Sequence, residues 1–323
     1  MKKFVRSPID QDGCRPLFSG HETFPLRYGW LKKAYDAVAE RSGAAAARDV
    51  FLGEDAIARF GVGKNMVASM RHWATCCGII RAHDEAETLC TTVLGDFLFG
   101  PEGVDPYLEF PATLWLLHWM LASYDAARPS KITWFWTFNH YPSLDFERND
   151  IAEGILKLAE VRGWQRVAPK TVRNDVDCLI RTYEARQGER HSIEDVLSSP
   201  LSELAIIRGV RGHFQLVRGP KRSLPNGIFI FALQQFWERF GANRTLSFEA
   251  VAHEPGAPGR VFLLDEADVA ERLLSLEDVT RGAFRWSETA GLKQILRSDN
   301  LSPAQLQCVL RGAYSSHAFK EGA

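Results

Sequence analysis

A helix–turn–helix pattern at residues 49–92 constrains the fold of this chain more than any other feature. Apolar side chains recur at helical spacing on both sides of a short segment that contains Gly61 and Gly63. Glycine accommodates the positive φ that a sharp turn requires. Residues 79–92 then predict two short strands around a polar tip. Helix, turn, helix and hairpin in this order predict a winged helix-turn-helix.

The second helix of this pattern presents a polar face with a positive charge. Residues 56–83 contain no Asp or Glu, and a surface without carboxylates suits the phosphates of duplex DNA, which bind Lys and Arg. Apolar residues between Met66 and Trp73 are predicted to face the core. The candidate DNA contacts are therefore Lys64, Asn65, Ser69, Arg71 and His72 on the helix and Arg81 on the following strand.

Two further windows lack acidic residues, at 161–174 and 205–237. The first lies on another helix–turn–helix pattern, whose candidate DNA contacts are Lys170, Thr171, Arg173 and Asn174. The second contains a basic turn in which Lys221 and Arg222 are predicted to contact the DNA backbone. A helix near residues 228–240 and a hairpin near 284–296 give a third, weaker winged-helix outline.

Composition limits the class of protein. The net charge is −1, so any binding to nucleic acid depends on local basic patches. The six cysteines form no Cys-x-x-Cys pair, which argues against a disulfide framework or a zinc site and fits a reducing cytosol. The apolar run at 114–122 is too short to span a bilayer. We therefore predict a cytoplasmic protein without a membrane segment.

Motifs of catalysis and cofactor binding are absent from the sequence. It contains no P-loop, no GxGxxG after a strand, no HExxH and no GxSxG. His21 and Glu22 are adjacent, but no second acid or metal-ligand spacing accompanies them, so packing explains them better than catalysis. We predict no enzyme activity, no catalytic residue, no metal and no cofactor. A nuclease centre built from Asp265, Glu288 and Lys293 is the catalytic alternative.

The sequence favours a mainly α-helical fold with small β-hairpins, an α+β protein built from multiple winged helix-turn-helix units. Three domains are predicted. Residues 1–104 form an N-terminal arm and the first winged helix-turn-helix, 105–188 an aromatic-rich helical domain with the second helix–turn–helix, and 189–323 a winged-helix-like domain. Aromatic residues at 133–138 are predicted to pack in the core rather than to stack on bases.

Several motifs resemble a bacterial domain-of-unknown-function family over nearly the whole chain. They lie at Phe18–Arg27, Phe60–Val67, Asp105–Glu109, Arg218–Pro225, Glu254–Phe262 and Glu288–Lys293. The resemblance implies a gene encoded beside phosphorothioate DNA-modification genes. It also implies, as neighbours, sulfurtransferases similar to phosphoadenosine-phosphosulfate reductase, a cysteine desulfurase and antiphage defence ATPases or helicases. The family carries no established activity, so the resemblance implies a context rather than a mechanism.

Pattern and resemblance together predict a subunit that binds double-stranded DNA and positions it for a partner sulfurtransferase. Two alternatives stay open. One is an adaptor that binds only protein through the aromatic-rich middle segment, and the other is a regulator that controls transcription of its own operon. The sequence leaves open whether the chain forms a homodimer.

Overall fold

The computed structural model describes residues 16–40, 46–52, 54–82, 88–123, 131–185, 199–240, 243–289 and 291–315, with the single residues 7, 9 and 14. The helices are α1 (Trp30–Ala39), α2 (Glu54–Phe60), α3 (Lys64–Cys76), α4 (Val93–Phe99), α5 (Pro111–Ala122), α6 (Ile132–Asn139), α7 (Arg148–Val161), α8 (Pro169–Tyr183), α9 (Asn226–Glu238), α10 (Phe248–His253), α11 (Pro258–Val261), α12 (Glu266–Leu274), α13 (Leu276–Val279) and α14 (Pro303–Ser315). The strands are β1 (Ala46–Ala47), β2 (Ile80–Ala82), β3 (Thr88–Thr91), β4 (Asp145–Glu147), β5 (Ile207–Val210), β6 (His213–Leu216), β7 (Thr245–Ser247), β8 (Phe284–Thr289) and β9 (Leu292–Arg297).

Helices and small antiparallel sheets combine in this fold, which confirms the α+β prediction. The strands form three sheets, with the orders β1-β3-β2, β4-β6-β5 and β7-β9-β8. In each sheet a hairpin of consecutive strands pairs through its second strand with a short strand from earlier in the chain. None of the described helices combines the length and the apolar character needed to cross a membrane.

One order of elements occurs three times along the chain. A helix, a short strand, two helices and a hairpin follow one another at residues 30–91, 132–216 and 226–297. We call these segments the first, second and third unit. The last long helix before the hairpin is α3 in the first unit, α8 in the second and α12 in the third, and short helices α11 and α13 are inserted in the third.

Local geometry explains the turn that precedes α3. Gly61 has a φ of 66° and reverses the chain as expected. Gly63 differs from the expectation, because it has a φ of −64° and a ψ of 158° and acts as the N-cap of α3. One glycine with positive φ therefore suffices for this turn, and the second leaves the first turn of α3 uncrowded.

The centre of the protein is apolar and aromatic. All but the first residue of α5 are buried, as expected for a helix that is hydrophobic on every side. Trp134, Phe135 and Phe138 of α6 are also buried. The aromatic segment therefore packs in the core, as predicted, and these rings are not exposed for base stacking.

The second unit joins residues from both sides of the boundary predicted at residue 188. Phe146 of β4 pairs with Phe214 of β6, and the two rings stack at a centroid distance of 5.5 Å. Residue 188 itself, like most of the predicted N-terminal arm, lies outside the described residues.

Candidate nucleic-acid interface

The first turn of α3 is exposed, basic and without a side-chain cap. Lys64 and Asn65 are exposed, no acidic residue lies in this turn, and the Gly63 N-cap offers no side-chain acceptor. The first amides of a helix lack partners within the helix and carry the positive end of its dipole. Arg71, in the second half of α3, is half-buried, and Arg81 is exposed on β2.

Ser69 of α3 points inward, which corrects the exposure expected for this residue. Ser69 is fully buried, and its hydroxyl has no hydrogen-bond partner among the described residues. Ser69 lies one helical turn before Trp73 on the same face, so it shares the burial of that ring. This spacing was visible in the sequence and is the signal that could have placed Ser69 in the core.

His72 is half-buried rather than exposed. Its ring lies 5.9 Å from the ring of His21, and its Nε2 lies 3.6 Å from the Sγ of Cys76. Burial, together with the nearby charge of Lys131, lowers the pKa of His72 well below its usual value. A neutral, enclosed imidazole cannot supply positive charge to a phosphate.

The N-terminal half of α8 carries the clearest basic surface. Lys170 and Arg173 are exposed, and Thr171 and Asn174 are half-buried beside them. Pro169 begins the helix, and the Ala168 N-cap provides no side-chain acceptor. These four predicted contacts therefore lie together around a helix N-terminus of the kind that binds anions.

Carboxylates near this surface are neutralised or buried. Asp175 is fully buried, and Asp177 lies 2.9 Å from the Nε of Arg148. No local pattern in the sequence reveals this arrangement, because Arg148 and Asp177 are distant along the chain. The basic surface of α8 is thus less opposed by acids than the sequence Asn-Asp-Val-Asp suggests.

Further cations lie on the loop before α8 and on the β5–β6 hairpin. Arg166 is exposed in that loop with a positive φ of 62°. Arg208 and Arg211 are exposed on and beside β5. Helix and hairpin of the second unit therefore both present arginines to solvent.

The basic turn that precedes the third unit is folded inward, which corrects the exposure expected for Lys221. The Nζ of Lys221 donates to the carbonyl of Val217 at 2.6 Å, and its backbone amide donates to Asp268 at 3.3 Å. Burial is the main cause that lowers the pKa of Lys221 to about 8. Arg222 is exposed and stays a candidate backbone contact.

The third unit differs from the other two in the charge of its last helix. The N-terminus of α12 is already capped, because Asp265 accepts from the amide of Asp268 at 2.8 Å. Glu266 and Glu271 are exposed on the helix together with Leu274. This face therefore carries negative charge where the first turns of α3 and α8 carry positive charge.

The residues of the nuclease alternative do not form one centre. Glu288 and Lys293 pair across the β8–β9 hairpin at 3.8 Å with half-exposed side chains, and Asp265 caps α12. In the part of the chain that the structure describes, no three His, Cys, Asp or Glu side chains come together in a way that could hold a metal ion.

Fold and surface define an α+β protein of three similar units, two of which present basic helix N-termini. The chain belongs to the DUF4007 family, described as a protein of unknown function, whose model matches residues 18–314. A magnesium ion-bound SspB crystal structure is similar, with 30% sequence identity over 98% of this chain and 93% of that chain and a TM-score of 0.82. A second SspB crystal structure has 29% identity over 96% and 92% of the two chains and a TM-score of 0.80. A comparison with curated proteins gives no match.

Proposed function

We propose that this protein is a double-stranded-DNA-binding subunit of a phosphorothioate-linked antiphage defence system, in which it positions the duplex for a partner sulfurtransferase. We further propose that each unit is a winged helix-turn-helix. The observation that carries the proposal is the pair of uncapped, basic first turns of α3 and α8. The resemblance of the motifs to a family encoded beside phosphorothioation genes supplies the context.

In this proposal α3 and α8 are the recognition helices. A recognition helix contacts base edges with residues near its N-terminus, and helix-terminal amides and cations bind the phosphates. Lys64, Lys170 and Arg173 bind phosphates or guanine, and Asn65 suits adenine. On α8, Thr171 and Asn174 lie at the edge of the surface that Lys170 and Arg173 present to DNA.

The third unit has a different role in this proposal. Its exposed face on α12 combines carboxylates with the exposed apolar side chain of Leu274. Carboxylates are repelled by the DNA backbone, whereas an apolar residue beside charges suits a protein surface. The third unit therefore holds the partner sulfurtransferase while the first two units bind DNA.

The first test is the affinity for a duplex of about 24 base pairs, measured by fluorescence anisotropy over a series of salt concentrations. Lys170→Glu with Arg173→Glu is expected to weaken binding more than tenfold. Loss of two phosphate contacts is also expected to reduce the slope of log K against log salt by about 2. Lys64→Glu tests the first unit in the same way.

The control is Lys293→Glu, which reverses one exposed charge on the third unit and matches Lys64→Glu in the change of net charge. It is expected to leave affinity nearly unchanged. If the α8 variant and this control weaken binding equally, the second unit is not the DNA interface. Co-purification with a sulfurtransferase in the absence of any duplex binding supports the protein-only adaptor, and selective protection of the upstream promoter in footprinting supports the regulator.

Magnesium-dependent DNA cleavage is the second candidate function, because one of the similar crystal structures is magnesium ion-bound. The carboxylates of the described residues do not gather into a cluster of three, so no catalytic step follows from them. Incubation of supercoiled plasmid with the protein and Mg²⁺ tests this candidate. Cleavage that Glu288→Ala abolishes supports it, and plasmid that stays intact argues against it.

A further inference from the structure

Residues 20–24 connect the helices α3 and α8 through one carbonyl group. The oxygen of Phe24 accepts from the indole Nε1 of Trp73 on α3 at 3.0 Å. The same oxygen accepts from the Sγ of Cys178 on α8 at 3.5 Å. Arg181 of α8 also donates to the carbonyl of Thr23. This segment therefore contacts both proposed recognition helices directly.

His21, which the sequence analysis assigned to packing, fixes the segment to α8. The amide of Thr23 donates to its Nδ1 at 3.0 Å, so the proton of a neutral ring lies on Nε2. That nitrogen lies 3.0 Å from Oδ1 of Asp175, a close electrostatic contact without the alignment of a hydrogen bond. Both side chains are buried, so the contact is protected from water.

Asp175 is the centre of a buried polar cluster. Lys131 donates to its carboxylate at 2.8 Å, and Thr133 donates to the second oxygen at 2.5 Å. Burial alone raises the pKa of Asp175, but Lys131 and His21 outweigh it and hold the value at about 2. The Lys131 ammonium also lies 4.3 Å from the centroid of Trp134, which packs edge-on against the indole of α3 at 5.7 Å.

The backbone of the segment is fixed as tightly as its side chains. Gly20, Glu22 and Thr23 all have positive φ, at 99°, 46° and 64°. A Cβ at Gly20 would lie 2.6 Å from Nδ1 of His72 on α3. Non-glycine residues in this conformation are maintained only where surrounding contacts determine it.

Helix geometry limits the distance between the two basic turns. A helix rises about 1.5 Å per residue, which separates Lys64 from Trp73 by roughly 14 Å and Lys170 from Cys178 by roughly 12 Å. The shared Phe24 oxygen keeps the backbones of the two helices within roughly 15 Å of each other. The basic turns are therefore no more than roughly 40 Å apart, a distance that a duplex of about 12 base pairs or more covers at about 3.4 Å per base pair.

We infer that residues 20–24, with His21 on Asp175, are a rigid bridge that holds α3 and α8 for simultaneous binding to one continuous duplex. The inference rests on the proposed function and specifies the ligand, which is a single duplex long enough to reach both helices. Rigid linkage makes the second contact intramolecular, so affinity rises without any additional contact residue. His21 is a positioning residue in this arrangement, because it touches no DNA.

The test compares duplexes of about 8 and about 20 base pairs, of which the longer spans every separation up to that limit. Wild-type protein is expected to bind the longer duplex about 100-fold more tightly. His21→Asn is expected to lose most of this difference while it binds the short duplex normally. The control is Glu22→Gln, an exposed neighbour in the same segment, which keeps the difference. Gly20→Ala is the second bridge variant, and thermal unfolding verifies that each protein is folded.

Three results are distinguishable. Wild-type protein that binds neither duplex overturns the proposed function and, with it, the bridge. Equal wild-type affinity for both lengths overturns the bridge alone, as does a folded His21→Asn protein that keeps the full difference. If both bridge variants fail to fold, the length dependence of the wild type still decides whether one duplex contacts both helices.

Discussion

His118 lies fully buried where α5, α8 and α11 meet. Its Nε2 donates to the carbonyl of Val261 at 2.7 Å, so its Nδ1 accepts from the hydroxyl of Tyr183 at 2.9 Å. Burial is the main cause that lowers its pKa from 6.5 to about 4. The neutral imidazole therefore links α8 of the second unit to α11 of the third through two hydrogen bonds.

This pKa predicts a pH dependence of stability. Between pH 6.5 and pH 4 the unfolded chain binds a proton at His118 that the folded protein does not, so stability is complete above pH 6.5 and falls as the pH decreases. The shift predicts a loss of about 3 kcal/mol by pH 4. Urea unfolding of wild type and His118→Gln across this range measures it. The variant is expected to show a shallower dependence of the free energy of unfolding on pH. The remaining dependence includes a contribution of the same sign from His72, whose pKa is also lowered. An unchanged dependence in the variant would contradict the assignment to His118.

Ser69, His72 and Lys221 show where inference from sequence failed at the scale of single residues. The amphipathic pattern correctly placed α3 and its outward first turn. It could not reveal that residues 20–24 cover the face of α3 that carries His72. The pattern at Lys221 likewise gave a basic turn but not the Asp268 and Val217 groups that bind it. The burial of Lys221 and the partial burial of His72 depend on groups from elsewhere in the chain, whereas the burial of Ser69 follows from its helical spacing to Trp73.

At the scale of elements, α7 owes its start to a capping box with an unusual N-cap. The carboxylate of Asp150 accepts from the amide of Glu147 at 2.8 Å, and the Glu147 side chain accepts from the backbone of the third helical residue in return. Glu is not among the preferred N-cap residues, so no clear capping signal precedes α7 in the sequence. The cap matters because α7 follows β4 directly and aligns it with the hairpin.

Loss of this cap is expected to destabilise the second unit. Asp150→Ala removes the reciprocal bond, and removal of a cap costs about 1 kcal/mol. The free energy of unfolding in urea measures the effect. Glu153→Ala is the control, because it removes an exposed carboxylate from the same helix without touching the cap. Equal destabilisation by both variants would show that charge, rather than capping, is responsible.

Elements were predicted more accurately than their pairing. Helical periodicity and glycine turns are local, and they located α3, α8 and the hairpins of the first and third units, but not the β5–β6 hairpin. The pairing of β4 with β6 joins residues about seventy positions apart along the chain, and no local pattern encodes which strand a short hairpin meets. The basic turns of α3 and α8 were therefore predictable, whereas the bridge between them was not.

At the scale of the whole molecule, charge is separated although the net charge is only −1. Exposed cations lie on α3, α8 and the β5–β6 hairpin, and exposed carboxylates lie on α12. In the proposed arrangement the field of the duplex attracts the basic turns of α3 and α8 and repels α12, which orients the molecule as it approaches DNA. If the third unit binds the sulfurtransferase and not DNA, reversing the charge of α12 affects the first interaction and not the second.

Glu266→Lys with Glu271→Lys is expected to change duplex affinity less than about threefold at physiological salt, because charges beyond a Debye length of about 8 Å are screened. The same variant is expected to lose co-purification with the sulfurtransferase. Glu102→Lys with Glu109→Lys is the control, since it gives the same change of net charge at exposed positions outside the third unit. A tenfold gain in affinity confined to the α12 variant would place this helix beside the DNA. Loss of the sulfurtransferase from both variants would show that net charge, and not the face of α12, determines the interaction.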